Sequence, residues 1–466
     1  MASGTVTSGT ARATDRIANV ILSAALAFFS LDAIYAIYAG RTVYLPFVLT
    51  FVLILIASFR LRAEWRARFA LTLLSSLFAL YGAEIAITIL TPMMSARNVW
   101  KAHHRFDFRS REEVIRDLRS HGVEAFQRVA AGFPIAGPGM TLGGSIANST
   151  VVWCNETGSY VVYQTDEHGF RNPKGIWSAK PLQLAAVGDS FTNGACVDTG
   201  TDFISQIRSE YPATLNLGSG GAGPLEELAA LEEYAIPLQP HIVLWCFFEG
   251  NDLEDLRQES AKPILMRYLR ENGFRQQLRQ RQYEIDNTMR PVLEQGLQWR
   301  SSILLVPSVG LRYYGKKSLL QFITLHGTHG LIEQFLQIGV KKDSWKTEEA
   351  EIGLLGEVLA KAANEVAGIN GRLYFVFLPG ADMFQNGAER LSLHDKVLQT
   401  VSALGISIID VFPAFRAQGD PLKLYNVPFP HFNENGYKLT AQVIEQALAS
   451  SEQTAARPEL NLFAGK

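Results

Sequence analysis

The sequence predicts a doubly wound α/β domain with a five-stranded parallel sheet, preceded by three transmembrane helices. Three observations predict this architecture. Long apolar runs fill most of the first 92 residues, five short apolar runs alternate with helical stretches after Leu182, and polar turns follow several of the short runs. Continuous apolar strands separated by helices are typical of a parallel sheet that is covered on both faces.

The N-terminal apolar runs predict membrane spans. They are Ile17–Ala39, Val43–Phe59 and Phe69–Thr91. The first and third have the length that crosses a bilayer as a helix, and the second is at the short end. A secretory signal would be a single shorter run. Residues 1–16 are therefore expected to form a cytoplasmic tail and residues 17–92 three transmembrane helices. The alternative is a helical hairpin buried in a soluble core.

Arginines in the short loops predict the orientation of these spans. Two arginines precede the first span and four lie between the second and third, whereas Arg41 is alone between the first and second. Cytoplasmic loops carry an excess of Lys and Arg. We therefore expect a cytoplasmic N-terminus and a multi-pass protein of the cell (inner) membrane. The rest of the chain would lie on the extracytoplasmic, periplasmic side of the lipid bilayer.

Composition and cysteine content narrow the class of protein. The 466 residues are 47% hydrophobic and 19% charged with a net charge of −2, so nothing favours nucleic acid as a partner. The three cysteines have no metal-ligand spacing, and neither a metal nor a cofactor is predicted. Cys246 lies in an apolar run and is expected in the core. Cys154 and Cys196 lie near predicted loops, where an external compartment would permit a disulfide.

The remaining chain is predicted to contain a linker and one large domain. Residues 93–180 are interpreted as a membrane-proximal linker, with an amphipathic helix over 109–130 and two short strands, TVVWC and YVVYQT, around NETGS. The α/β domain is assigned to residues 181–450 and a C-terminal tail to 451–466. Its five strands are predicted at LQLAAVG, ATLNLG, HIVLWCFF, RLYFVFLPG and SIIDVF.

A long helical insertion is predicted within this domain at residues 255–345, and such insertions are often lids or docking elements. A basic and aromatic cluster within this insertion is expected either to contact lipid head groups or to form a solvent-exposed face. This cluster comprises Arg312, Tyr313, Tyr314, Lys316 and Lys317. His326 and His329 are spaced for shared metal ligation, but no carboxylate accompanies them and no metal is assigned there.

Four turns carry residue types suited to nucleophilic catalysis. The first strand runs into GDSFTNG, which places Ser190 where a parallel sheet exposes side chains at its carboxyl edge. A nucleophilic serine needs a base, and it needs donors for the negative charge that develops. Glycines in NLGSGGAGP and Asn251 in FFEGND are candidate donors, and His431 in FPHFNENGYKL is the candidate base. The alternative for Ser190 is a simple helix cap.

These four blocks resemble the SGNH/GDSL hydrolase family over about 270 residues, from Pro181 to about Ser450. The resemblance implies a flavodoxin-like hydrolase domain that needs no metal. It implies that Ser190 attacks an acyl carbonyl and that His431 takes the serine proton. Asp189 is expected to brace the turn rather than to take part in the chemistry.

The resemblance also implies an oxyanion hole. Its donors would be the backbone N–H of Ser190, the backbone N–H of Gly221 and the side-chain amide of Asn251. Alignment of the second block places the family glycine at Gly221, with Gly220 or Gly218 as alternatives.

One part of the family pattern is missing. Most members have an aspartate two or three residues before the histidine, where this chain has the tripeptide PFP at 428–430. A backbone carbonyl could accept the Nδ1–H of His431 instead, as could a distant acid such as Glu249 or Glu434. A Ser–His dyad would still work, because the orienting residue contributes less than the nucleophile or the base.

Three functions fit these residues. The favoured one is a membrane-anchored serine esterase that removes O-acetyl or other short acyl groups from an extracytoplasmic glycan or lipid. The second is an O-acyltransferase of envelope polysaccharide that uses the same site and depends on a membrane partner protein for its acyl donor. The third is a non-catalytic carbohydrate-binding subunit. A transferase must exclude water from the acyl-enzyme, and the reactivity of Ser190 separates the third function from the other two.

Overall fold

The structure is a computed structural model that describes residues 4–38, 45–129, 131, 144–301, 344–385, 388–426 and 431–455. The described residues form two units. The first comprises residues 4–93 and the second comprises the described residues from Met94 onward.

The first unit consists of three apolar helices. They are α1 (Gly4–Tyr38), α2 (Leu45–Ser58) and the larger part of α3 (Ala63–His103). Leucines at their contacts are buried, including Leu22 of α1, Leu55 of α2 and Leu73 of α3. Arg66, at the start of α3, forms an ion pair with Asp15 of α1.

Two of these helices, rather than the expected three, are long and apolar enough to cross a membrane. The qualifying stretches are Arg12–Ile34 and Ala63–Ala86, whereas the apolar part of the second helix is only Val48–Ser58. The 14 residues of α2 span about 21 Å at the α-helical rise, which is less than the ~30 Å hydrocarbon core. The expectation of a full second span over residues 43–59 is therefore wrong for the helix as it stands.

The second unit is built on a five-stranded parallel sheet, as predicted. Its strands are β4 (Leu184–Gly188), β5 (Thr214–Asn216), β6 (Ile242–Phe248), β7 (Arg372–Leu378) and β8 (Ser407–Asp410), in the order β5-β4-β6-β7-β8. The chain passes from β4 to β5 on one side and then to β6 on the other. This reversal opens a crevice at the carboxyl ends of β4 and β6, where α/β proteins bind ligands.

Both faces of the sheet are covered by helices, which explains why its strands are apolar throughout. Successive side chains of β6 alternate between two separate hydrophobic clusters, with Val243, Trp245 and Phe247 in one and Leu244 and Cys246 in the other. The helices of this α/β layer arrangement are α5 (Ser190–Asn193), α6 (Phe203–Ile207), α7 (Pro224–Ala230), α8 (Asp252–Ser260), α9 (Pro263–Arg270), α10 (Gln282–Ser301), α11 (Ser344–Gly368), α12 (Ala388–Ala403), α13 (Phe412–Arg416) and α14 (Glu434–Ala455).

The described part of the insertion is helical, as predicted, but it belongs to the core rather than to a lid. Side chains of α9 and α10 join the cluster that covers one sheet face, among them Leu265, Tyr268 and Ile285. The basic and aromatic cluster at 312–317 and the two histidines of HGTHG lie outside the described residues.

A small second sheet precedes the large one. It contains β1 (Ala125–Gln127), β2 (Thr150–Val152) and β3 (Val162–Gln164), and β2 and β3 pair antiparallel as the predicted hairpin. The single helix expected over 109–130 is wrong. Helix α4 (Arg111–Ser120) ends before Gly122, whose φ of 80° is left-handed, and the chain then becomes β1.

Candidate active site

Ser190 lies at the carboxyl end of β4, at the first position of α5, and is half-buried. Asp189 caps this helix: its Oδ1 accepts the Phe191 N–H at 2.8 Å, and its Oδ2 accepts the Ser190 hydroxyl at 3.3 Å. The prediction that Asp189 braces the turn is confirmed. A Cβ on Gly188 would lie 2.1 Å from Thr192 Oγ1, so the sharp exit from the strand requires glycine there.

His431 is within hydrogen-bond distance of Ser190. Its Nε2 lies 3.1 Å from Ser190 Oγ, although the two residues are 241 positions apart. The imidazole packs near Phe191, with ring centroids 5.2 Å apart, and its neighbour Phe432 is fully buried. Residues 427–430, which include the PFP tripeptide, lie outside the described part of the chain.

The group that faces the other nitrogen of His431 is Glu156. Its Oε1 lies 2.7 Å from His431 Nδ1. A distant acid therefore faces the histidine, which is one of the alternatives left open by the sequence, but that acid is Glu156 and not Glu249 or Glu434. Glu156 comes from the loop that joins β2 to β3, upstream of the α/β domain, and nothing in the motif block around His431 points to it.

A disulfide joins Cys154 to Cys196 beside this pair. Cys196 follows the Ser190 turn, and its Sγ lies 3.6 Å from His431 Nδ1. Ligand atoms of Glu156, Cys196 and His431 lie within 4.8 Å of one another. Because the Cys196 sulfur is covalently bonded to Cys154, it offers no thiolate, and we assign no metal to this cluster. Cys246 is free and buried, as predicted.

Asn251 lies between the carboxyl end of β6 and α8, as the N-cap residue of that helix, and lines the same cavity as Ser190 and His431. Its Nδ2 donates to Asp255 Oδ2 at 2.6 Å. An amide nitrogen carries two hydrogens, so this bond fixes the side chain and leaves a second donor. The structure thus brings Asn251 to the same cavity as the nucleophile, and its role as an oxyanion donor stays a prediction.

The glycine-rich loop after β5 is tied to the nucleophile turn. Asn193 Nδ2 donates to the Gly218 carbonyl at 2.9 Å, and the half-buried Arg128 donates from Nη1 to the Gly220 carbonyl at 2.6 Å. Gly221 has a left-handed φ of 82°. Gly221 is not among the described residues that line the cavity, so its role as an oxyanion donor stays a prediction.

The cavity above Ser190 has a volume of about 310 Å³. It is lined by Ser190, Phe191, Phe248, Glu249, Gly250, Asn251, Gly380, Ala381, Asp382 and His431. Two of these are carboxylates and none is Lys or Arg. The lining of the cavity is therefore acidic.

A group of buried acids lies behind the nucleophile. Burial raises the pKa of Glu227 well above its ordinary value, and the neighbouring Asp189 adds to the rise. Neither Glu227 carboxyl oxygen has a hydrogen-bond partner among the described residues. Glu259 accepts the Gly223 and Leu225 N–H groups at the start of α7, and burial raises its pKa to about 8.

Glu227→Gln is expected to stabilise the protein, and increasingly so at higher pH. The pKa of Glu227 is higher in the folded than in the unfolded chain, so the unfolded chain binds fewer protons above about pH 4.5 and the free energy of unfolding falls as pH rises. Glutamine does not titrate, so the variant lacks this decrease in the free energy of unfolding. Thermal unfolding of the detergent-solubilised wild type and variant at pH 5 and pH 8 measures the difference in stability. An equal shift at both values, or destabilisation only at pH 8, would contradict the assignment.

Comparisons with known proteins find similarity only at the level of structure. No family model and no curated protein matches the sequence. Solved structures that resemble the chain include a member of the lipolytic protein G-D-S-L family from Veillonella parvula (14% identity, TM-score 0.31, covering 57% of this chain and 98% of that one). A lipase/acylhydrolase from Enterococcus faecalis has 12% identity and a TM-score of 0.32, covering 58% of this chain and 96% of its own.

An acetyl xylan esterase, AlAXEase, has 10% identity and a TM-score of 0.31, covering 57% of this chain and 99% of that one. At these sequence identities and TM-scores, the similarity does not support any assignment of catalytic chemistry. That assignment depends on the geometry of the site. The solved structures that this chain resembles are described as GDSL lipolytic proteins, acylhydrolases and esterases, and its own motif blocks resemble the same family.

Proposed function

We propose that the protein is a membrane-anchored serine ester hydrolase of the SGNH/GDSL type, which removes acyl groups, O-acetyl first among them, from an extracytoplasmic glycan or lipid. One observation carries the proposal: Ser190 Oγ and His431 Nε2 lie 3.1 Å apart at the base of a cavity that Asn251 also lines. A serine, a base and an amide donor at one sheet edge are the parts that acyl transfer through an acyl-enzyme needs.

The chemistry follows from these positions. His431 Nε2 takes the hydroxyl proton as Ser190 Oγ attacks the ester carbonyl, and the carbonyl oxygen becomes an oxyanion. The Asn251 amide, together with the N–H groups of Ser190 and Gly221, would hold that oxyanion. Collapse breaks the ester bond, and His431 returns the proton to the leaving alcohol. Water then repeats the sequence on the acyl-enzyme and releases the acid.

The cavity wall favours an uncharged acyl group. Glu249 and Asp382 face the same cavity as Ser190, and no Lys or Arg of the described chain lines it. Like charges in a partly buried site repel one another strongly enough to affect binding. An acetyl ester brings no charge into this space, whereas a dicarboxylic half-ester does.

Two features support an extracytoplasmic site. Disulfides persist in oxidising compartments, and Cys154 and Cys196 are paired beside the site. The arginine-rich turn between α2 and α3 favours the cytoplasmic side for that turn. The Arg66–Asp15 ion pair brings the starts of α1 and α3 to the same side, so α2, although shorter than the hydrocarbon core, has to return the chain between them. With the turn inside, α3 crosses outward and the larger part of the chain lies outside.

Replacement of Ser190 or His431 by alanine is expected to abolish turnover. Ser190→Ala removes the nucleophile and His431→Ala its base, so release of p-nitrophenol from p-nitrophenyl acetate should fall by about 10⁶-fold or to background. Fluorophosphonate labelling should vanish in Ser190→Ala. The exposed Ser209→Ala and His121→Ala serve as matched controls. A Ser190→Ala variant that keeps labelling and turnover would refute the proposed function.

The acidic wall predicts selection against anionic acyl groups. The kcat/KM for p-nitrophenyl butyrate should exceed that for the equally long p-nitrophenyl hemisuccinate by on the order of tenfold, equivalent to about 1.4 kcal/mol. Asp382→Asn should narrow the gap at low ionic strength, whereas the exposed Glu210→Gln should not. A preference for the hemisuccinate would contradict the assignment.

The orientation predicts the outcome of reporter fusions. Alkaline phosphatase fused after residue 126 should be active, because it would emerge outside, and a fusion after Arg62 should be inactive. The reverse pattern, or activity at both positions, would place the site on the cytoplasmic side or require another topology.

A further inference from the structure

We infer that Glu156 is the positioning carboxylate of His431 and that the Cys154–Cys196 disulfide holds it there, so that the site is complete only when the disulfide is closed. The inference rests on the proposed function, because it concerns the histidine that serves as the base. In most members of the family that the motifs resemble, an aspartate just before the histidine orients the imidazole. In this chain, we assign that role to Glu156 of the upstream hairpin.

Glu156, His431 and Ser190 form one line of hydrogen bonds. Glu156 Oε1 lies 2.7 Å from Nδ1 of His431, and Nε2 on the other side of the ring lies 3.1 Å from Ser190 Oγ. A carboxylate at Nδ1 accepts the ring N–H, which leaves Nε2 free to take the serine proton, and it stabilises the imidazolium that then forms. The side chains of Glu156 and His431 are only 12% and 18% exposed, so water screens the pair weakly.

The loop that carries Glu156 is anchored on one side by the segment at 105–107. Asn155 Nδ2 donates to the Asp107 carbonyl at 2.8 Å, and the Asp107 N–H donates to the Gly158 carbonyl at 2.8 Å. Gly158 has a φ of 84°, and a Cβ there would lie 2.1 Å from the Arg105 carbonyl oxygen. The loop tip therefore packs directly on this segment.

The disulfide anchors the same loop on its other side, at the catalytic residues. Cys154 precedes Glu156 by two residues, and Cys196 closes the turn that Ser190 begins. The Ala195 carbonyl of that turn accepts the Tyr437 hydroxyl at 3.1 Å, and Tyr437 lies in α14, the helix that starts just after His431. The disulfide thus connects the carboxylate loop to the turn that carries the nucleophile, and a hydrogen bond connects that turn to the helix that follows the base.

Glu156 variants of the full-length protein in detergent test the positioning role. Glu156→Gln should lower kcat for p-nitrophenyl acetate by roughly 10²- to 10⁴-fold with little change in KM, because the tautomer and the imidazolium lose their partner. Glu156→Asp should recover part of the loss, since the charge returns on a shorter side chain. Glu210→Gln, an exposed acid, is the charge-matched control. Wild-type kcat in Glu156→Gln would overturn the inference.

A double-mutant cycle tests the role of the disulfide. Cys154→Ser/Cys196→Ser should lower kcat by at least tenfold, and adding Glu156→Gln should then cost much less than it does in the oxidised protein. Coupling of this kind shows that the disulfide acts through the carboxylate. Additive losses would show that the disulfide supports the fold alone, and would overturn that half of the inference.

Chemical reduction covers the case in which the cysteine variant fails to fold. Dithiothreitol converts the disulfide to two thiols and is itself oxidised to its cyclic disulfide. EDTA is added because the released Cys196 thiol would lie beside His431 and Glu156, where a metal could bind. Reduction should lower kcat in the wild type, reoxidation should restore it, and Glu156→Gln should respond little. No response of the folded wild type would overturn the claim.

Fluorophosphonate labelling separates this inference from the proposed function. If Ser190 reacts in the wild type and Glu156→Gln reacts at the same rate, only the positioning role fails. If Ser190→Ala keeps its labelling and turnover, the proposed function fails and the inference fails with it.

Discussion

The active-site geometry depends on one constraint, the pairing of β4 with β6 at the reversal point of the parallel sheet. Ala186 of β4 lies opposite Leu244 of β6, so both strands end at the same edge. Ser190 and Asn251 follow these ends directly and therefore meet in one crevice. The apolar side chains of both strands pack into hydrophobic clusters on each face of the sheet, and this burial favours the observed register.

The segment upstream of the α/β domain contributes several contacts to the site. Glu156 faces His431, Cys154 bonds to Cys196, and Arg128 just after β1 holds the Gly220 carbonyl of the glycine-rich loop. Residues 93–180 are thus more than a spacer between the N-terminal helices and the α/β domain. A fragment that began at Pro181 would lack the carboxylate, the disulfide and the loop support together.

Much of the fold and of the candidate site could be predicted from the sequence, and the features that could not be predicted have physical reasons. Five apolar runs became five strands because buried parallel strands carry a strong local signal, and Ser190, His431 and Asn251 follow from motif blocks at strand ends. Glu156 could not be found in this way, since its role depends on a tertiary contact across 275 residues and on a disulfide that sequence leaves open. The prediction of one helix over 109–130 was wrong because Gly122 has a left-handed φ, which ends the helix even though the amphipathic pattern continues.

The most direct test of the central claim is to trap the acyl-enzyme and locate it. Full-length protein would be mixed with p-nitrophenyl acetate, quenched in acid within the burst, digested without reduction and mapped by mass spectrometry. The proposed chemistry predicts an acetyl group on the Ser190 side chain, with Cys154 and Cys196 recovered as one disulfide-linked pair. Sustained turnover with the acetyl group on another residue, or with none on the chain, would contradict it.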